Sequence, residues 1–132
     1  MKKLLVITLS LAVVFAALSI SAFAAFEKTI TYEGQFADVS DTAWYAPSVK
    51  TCYEIGLING ASATSFNPQG MFTLAEAATI AARMHNIYGG GDGKIPAGEG
   101  AWYNGAVNYC IENGIFNKGE FTDFTRYATR AE

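Results

Sequence analysis

The chain has 132 residues, a formal net charge of −3 and a mean hydropathy of +0.17. Two of its nine basic residues, Lys2 and Lys3, belong to a segment that we expect to be removed, which lowers the net charge to −5. An acidic chain without a basic stripe argues against nucleic acid or an anionic membrane as a partner. The remaining length is enough for one small domain.

Residues 1–24 have the pattern of a signal peptide. Two lysines precede an apolar run over residues 4–20, and the small residues Ala22 and Ala24 follow at the two positions that signal peptidase reads. We expect cleavage after Ala24 and an exported protein that is free of the membrane, with a retained anchor as the alternative reading.

An internal repeat is the main feature of the rest of the chain. Residues 44–59 return 58 positions later with seven identities in sixteen positions, namely Trp44/Trp102, Tyr45/Tyr103, Val49/Val107, Cys52/Cys110, Glu54/Glu112, Gly56/Gly114 and Asn59/Asn117. Each copy is too small to bury a core alone, so the copies should pack side by side. We expect the functional surface at their junction.

The first unit follows a short N-terminal arm, residues 25–35, which has only a weak alternating signal for extended structure. A helix is predicted over about residues 45–55, with Pro47 tolerated in its first turn. One face carries the recurrent apolar positions. Gly56 is predicted to end the helix in the left-handed conformation, and Leu57 is the apolar residue that often follows such a glycine and packs on the helix.

A second helix is predicted over residues 73–88. Thr73 and Glu76 stand at the spacing of a capping box, in which the side chain of each residue accepts a hydrogen bond from the backbone amide of the other. The predicted buried stripe of this helix is Ala77, Ile80, Ala81, Met84, Ile87 and Tyr88. Half of residues 89–100 are glycine, which indicates a flexible linker.

The second unit, residues 101–132, repeats the helix over about 104–113 and ends in a second capping box, Thr129 to Glu132. The helix that this box should start does not follow, so the sequence resembles the front of something longer, or a shortened version of it. Cys52 and Cys110 occupy the same repeat position, where a small buried hydrophobe is favoured over a disulfide unless the two faces meet. Three amphipathic helices predict an all-α fold.

The order of these motifs resembles the S-layer homology repeat of bacterial cell-surface proteins, with one full unit at 36–88 and a truncated unit at 101–132. The resemblance implies tandem helical repeats with grooves between them. It also implies non-covalent anchoring of an exported protein to the wall, through an acidic, often pyruvylated secondary cell-wall polysaccharide whose carboxylate contacts the motif arginine. The alternative is an assembly module whose incomplete repeats oligomerise with other repeats or copies of the chain, without glycan.

Arg130 occupies the arginine position of the second motif, between Thr129 and Glu132. A positive charge at a helix N-terminus opposes the macrodipole, and free amides beside a guanidinium would suit an anion. An ion pair with Asp123 is the alternative reading. In the first unit Leu74 replaces this arginine near Glu76. Arg83 is expected to face elsewhere, as a solvated or intramolecular charge.

Aromatic and acidic side chains complete the candidate ligand-binding set. Trp44 and Trp102 could stack on a sugar or pack the helix start into the core, and core packing is favoured. Asp38 could cap the first helix or accept a sugar hydroxyl, and capping is favoured. Glu76 belongs to the set through the first capping box.

Enzyme, metal and cofactor readings find little support in the sequence. The single histidine, His85, lies on a predicted helix without a nucleophile suggested by any motif. Gly93-Lys94 lacks the rest of a phosphate loop, and the acids form no metal-ligand spacing. We therefore expect no catalytic residue, no metal and no cofactor.

The resemblance generates one direct prediction. If the motif arginine meets the carboxylates of the wall polymer, as the resemblance implies, Arg130→Ala should weaken binding to purified cell walls by about 1–3 kcal/mol and reduce its salt dependence, because a charged hydrogen bond is lost. Binding that is unchanged in the variant would place the site elsewhere or favour the assembly reading.

Overall fold

The computed structural model describes residues 26–132, so the predicted signal peptide at 1–24 lies outside the described residues. Three helices form the framework: α1 is Ala46–Glu54, α2 is Leu74–Tyr88 and α3 is Asn104–Glu112. Residues 26–132 contain no strand, only an isolated antiparallel bridge between Thr73 and Tyr127. The all-α prediction is confirmed.

The C-termini of the two repeated helices, α1 and α3, have the same conformation. Gly56 follows α1 with φ of +77°, and Gly114 follows α3 with φ of +68°, a conformation that other residues rarely adopt. The next amide then turns back on the helix: Leu57 N donates to Cys52 O at 2.9 Å, and Ile115 N donates to Cys110 O at 2.8 Å. The glycine stop predicted from the sequence is confirmed.

The first core cluster joins α1 to the N-terminal arm. Its buried residues are Phe36, Val39 and Val49, and the ring of Tyr32 lies 5.7 Å from that of Phe36. The arm is extended without forming a strand, and the amides of Thr29 and Ile30 both donate to the Glu54 carbonyl. Its backbone is therefore satisfied by the C-terminal end of α1.

The Glu54 side chain is buried and pairs with Lys28 at 2.7 Å. Hydrogen bonding to Lys28 lowers the pKa of this carboxyl group from its usual value. The arm and α1 are thus joined by charge as well as by backbone hydrogen bonds.

The second core cluster lies where α2 packs on α3. Ala82, Ala106 and Cys110 are almost completely buried, and these small residues allow the two helices to approach closely. Cys110 Sγ donates to Ala78 O at 3.4 Å, and burial raises the pKa of its thiol to about 11. Both cysteines are free, with Cys52 half-buried.

The buried face of α2 differs from the predicted stripe. Met84 is 46% exposed and Tyr88 is 75% exposed, whereas the buried residues are Leu74, Ala75, Ala78, Ala82 and Ile87. Only Ile87 belongs to both sets. Small alanines make the contact with α3, so the packed face is rotated by about one residue from the stripe of larger side chains.

Parts of residues 89–100, which the sequence predicts to be a flexible linker, contact the rest of the domain. Gly93 is buried and its amide donates to Asn86 Oδ1 at 2.9 Å, and Ile95 packs against the second core cluster. At Gly105 a Cβ atom would collide with the Pro96 carbonyl, so glycine is needed for this segment to approach α3.

The second unit docks on the N-terminus of α2. The capping box is confirmed, because Thr73 Oγ1 accepts from Glu76 N at 3.3 Å and Glu76 Oε2 accepts from Thr73 N at 2.7 Å. The next two amides belong to Leu74 and Ala75, and they donate to carbonyls of the second unit, Arg126 O at 3.0 Å and Phe124 O at 2.8 Å.

This docking leaves no open anion site at the start of α2. All of the first amides of the helix are occupied, and the side chain of Leu74 is 4% exposed. The replacement of the motif arginine by leucine is explained by burial at the contact between the two units.

Leu74→Arg should therefore lower stability by about 2–4 kcal/mol, because it introduces an unpaired charge into a buried site. Leu74→Met is the matched control and should cost less than about 1.5 kcal/mol, since the volume is nearly conserved. Thermal and denaturant unfolding of the three proteins measures the difference. An arginine variant as stable as wild type would show that the side chain has an exit to solvent.

Candidate functional site

A cavity of about 560 Å³ lies at the junction of the two units. One wall is the loop that follows α1, a second wall is one face of α2, and Trp102 from the second unit also contributes to the lining. The volume lies in the range of small-molecule sites, about 300–1,000 Å³. We call this feature the junction cavity.

Asp38 fixes the loop wall of the junction cavity. Its carboxylate accepts hydrogen bonds from Ser65 Oγ at 2.8 Å, Phe66 N at 2.8 Å and Asn67 N at 2.7 Å. The two backbone hydrogen bonds lower the pKa of Asp38. Phe66 and Asn67 both line the cavity, so Asp38 shapes the site from behind.

The favoured prediction that Asp38 caps α1 is wrong. Tyr45 is the N-cap of α1 and makes no side-chain capping hydrogen bond. The carboxylate instead reaches a loop 28 residues away, where three donors converge on it. That long-range contact leaves no local sequence signal.

The α2 wall presents Glu76, Thr79, Ile80 and Arg83. The Glu76 carboxylate is already held by Thr73, whose amide and hydroxyl both lie 2.7 Å from Oε2. Thr79 Oγ1 donates to Ala75 O at 2.8 Å. Glu76 and Arg83 share this wall because seven residues make about two helical turns. The expectation that Arg83 faces elsewhere is therefore wrong. Its spacing of seven residues from Glu76 indicates that the two side chains lie on the same face of α2.

Arg83 is half-buried and held by the first unit. Its Nη1 lies 3.4 Å from Leu57 O, and its Nη2 donates to Asn59 Oδ1 at 3.1 Å in the amide orientation that also lets Asn59 donate to Ile58 O. Burial lowers the pKa of Arg83. Within residues 26–132 the guanidinium forms no ion pair with a carboxylate.

The two tryptophans are exposed, so the prediction that they pack into the core is wrong. Trp44 is 89% and Trp102 is 66% exposed. In each repeat the tyrosine that follows takes the inward position: Tyr45 packs on the first core cluster, and the Tyr103 ring lies 5.8 Å from Phe124. Of the pair, only Trp102 lines the junction cavity.

The second motif forms half of a capping box: the Glu132 carboxylate reaches back to Thr129 N, whereas the Glu132 amide donates to the Thr129 carbonyl. Glu132 Oε2 accepts from Thr129 N at 2.9 Å and from Arg126 Nη1 at 2.9 Å. Hydrogen bonding to Arg126 lowers the pKa of Glu132 to about 2. The four-residue motif does not predict this role of Arg126, because Arg126 lies three residues before Thr129.

Arg130 is exposed and lies outside the junction cavity, as do Thr129 and Glu132. Its proposed ion pair with Asp123 does not form, since Asp123 instead accepts from Thr125 N at 2.9 Å. The structure thus divides the candidates. Glu76 and Trp102 meet in the cavity, Asp38 supports it, and Trp44 and the second motif lie apart from it.

The chemistry of the junction cavity suits binding. It combines aromatic rings, side-chain amides and one guanidinium. His85 lies outside it, with Nδ1 3.1 Å from the Tyr109 hydroxyl. Within residues 26–132 no three His, Cys, Asp or Glu side chains are grouped as metal ligands, and no helix of that range has the length and apolar character needed to span a bilayer.

A family model and a known relative indicate the same family. The S-layer homology domain matches residues 35–78. The "Surface-layer 125 kDa protein" of Lysinibacillus sphaericus is 32% identical over 102 residues, which cover 74% of this chain. The chain spans 9% of that protein's length. No solved structure matches the chain significantly.

The role of Asp38 predicts a pH effect. Its folded-state pKa is lowered, so its stabilising contribution is complete above the unfolded value of about 3.9 and is lost as the pH falls through that value towards the folded pKa. The stability difference between wild type and Asp38→Asn should therefore shrink between about pH 5 and pH 3.

Denaturant unfolding at a series of pH values measures this difference, with Asp41→Asn as the control. Asp41 is an exposed acid whose side chain makes no hydrogen bond within residues 26–132. A constant difference for Asp38→Asn over the whole range would contradict the assigned role.

Proposed function

Because this chain is an S-layer homology domain protein, and thus carries a cell-surface anchoring module, we propose that it attaches non-covalently to an acidic secondary polysaccharide of the bacterial cell wall. The polysaccharide, often pyruvylated, binds in the junction cavity. The protein acts after export and cleavage at Ala24, and its role is attachment without catalysis.

The junction cavity carries this proposal, because it combines the groups that a sugar requires. Phe66 from the first unit and Trp102 from the second offer aromatic surface in the lining, and an aromatic face suits the apolar face of a sugar ring. Asn59 and Asn67 offer amide groups for hydroxyl groups, and Arg83 provides positive charge. Of the sequence-based candidates, Trp102 contacts the ligand directly and Asp38 positions the loop.

The alternative, an assembly module, is favoured by the second capping box. The first box is covered by carbonyls of the second unit, and the second box repeats one of its two reciprocal hydrogen bonds, with Thr129 N to Glu132 Oε2 at 2.9 Å against Thr73 N to Glu76 Oε2 at 2.7 Å. An equivalent loop of another repeat, or of a second copy of the chain, would fit against it. In this reading Arg130 lies at a contact between repeats.

The matched tryptophans test the proposal. Trp102→Ala should weaken binding to purified cell walls about tenfold, because it removes aromatic surface worth roughly 1–1.5 kcal/mol from the cavity. Trp44→Ala changes the equivalent residue of the first unit, which lies outside the cavity, and should leave binding unchanged. Sedimentation with walls, before and after extraction of the polysaccharide, measures both variants.

Three outcomes would contradict this assignment. Equal losses in the two tryptophan variants would remove the distinction made by the cavity. Loss in Arg130→Ala alone would move the site to the second motif. Binding that survives extraction of the polysaccharide, together with concentration-dependent self-association, would favour assembly.

A further inference from the structure

Arg83 is the basic side chain of the junction cavity, and its charge is not neutralised by a neighbour. Lys28, Lys94 and Arg126 form ion pairs within residues 26–132. Arg83 does not, although it is half-buried, and its pKa is lowered because burial removes it from water. A buried charge without a counter-charge is unfavourable, so an anion bound beside it would be stabilising.

The neighbouring acid does not provide that counter-charge. Glu76 lies on the same wall of the cavity, but it is seven residues away, about 10 Å along the helix axis. Its carboxylate is engaged at 2.7 Å by both the amide and the hydroxyl of Thr73. The capping box therefore keeps Glu76 away from Arg83.

The guanidinium is held in place and still has free donors. Leu57 O and Asn59 Oδ1 occupy one hydrogen on each terminal nitrogen, and an arginine has five. Such a fixed, planar fork matches the two oxygens of a carboxylate. Aromatic and amide groups around it would contact the rest of a sugar ring.

We propose that Arg83 is the carboxylate-binding residue of the junction cavity and that its ligand is a sugar residue bearing one carboxylate group. This inference rests on the proposed function and adds to it a specificity-determining residue outside the four-residue motif. The carboxylate belongs either to a uronic acid or to a pyruvate ketal. Leu74 stands where the family motif has an arginine. Arg83, on the same helix and two to three turns further on, provides a positive charge in its place.

The test measures binding of the full mature chain to polysaccharide released from walls of the producing bacterium. Three forms of the polymer are compared: native, treated with mild acid to remove pyruvate ketals, and carbodiimide-activated and borohydride-reduced so that carboxylates become alcohols. Arg83→Gln removes the charge, and Arg83→Lys keeps the charge without the fork. Lys118→Gln is the control, an exposed charge change outside the cavity.

Arg83→Gln should lose about ten- to a hundredfold in affinity for the native polymer, as expected for one charged hydrogen-bonded contact, and Arg83→Lys should lose less. Lys118→Gln should bind as wild type does. The decisive comparison is the thermodynamic cycle: once the carboxylates are reduced, Arg83→Gln and wild type should bind equally. A general loss of folding would instead persist with the reduced polymer, and melting curves identify it separately.

The polymer treatments identify the source of the carboxylate. Loss of wild-type binding after mild acid assigns a pyruvate ketal, and loss only after reduction assigns a uronic acid. Native affinity in Arg83→Gln, or wild-type binding unaffected by reduction, would overturn the inference while leaving wall anchoring intact. Failure of the wild-type chain to bind the native polymer would overturn the proposed function itself.

Discussion

Three backbone hydrogen bonds join the repeated units, and the two at the start of α2 are the contact on which the rest of the structure depends. The amides of Leu74 and Ala75 have no partner within their own helix, and the carbonyls of Arg126 and Phe124 satisfy them. The second unit thus completes the helix start of the first. It also brings its own Trp102 to the edge of the junction cavity, so the cavity has its full lining only while the units are docked.

The helices could be predicted from the sequence because their signals are local. Apolar periodicity, a glycine stop and a capping box each lie within about one turn of the element that they define. The exact buried face of α2 could not, since alanine, not the larger Met84 and Tyr88, makes the contact with α3. The glycines give a further example: Gly93 of the segment 89–100 is buried, and Gly105 at the start of α3 allows the Pro96 carbonyl to approach closely.

The candidate site was harder to predict because it depends on contacts between distant segments. Asp38 holds a loop 28 residues away, and the cavity closes with a residue of the other unit. The motif directed attention to Arg130, whereas the partly buried cation is Arg83. The two-turn spacing from Glu76 to Arg83 was present in the sequence, but the burial that makes this charge significant appears only in the fold.

The thiol of Cys110 makes the contact between α2 and α3 measurable. It is completely buried, its pKa is raised to about 11, and its Sγ faces the Ala78 carbonyl. A thiol-alkylating reagent reacts with the thiolate, so it can modify Cys110 only during the intervals in which the two helices separate. The alkylation rate therefore reports how often α2 separates from α3. A ligand that bridges the two units would lower this rate.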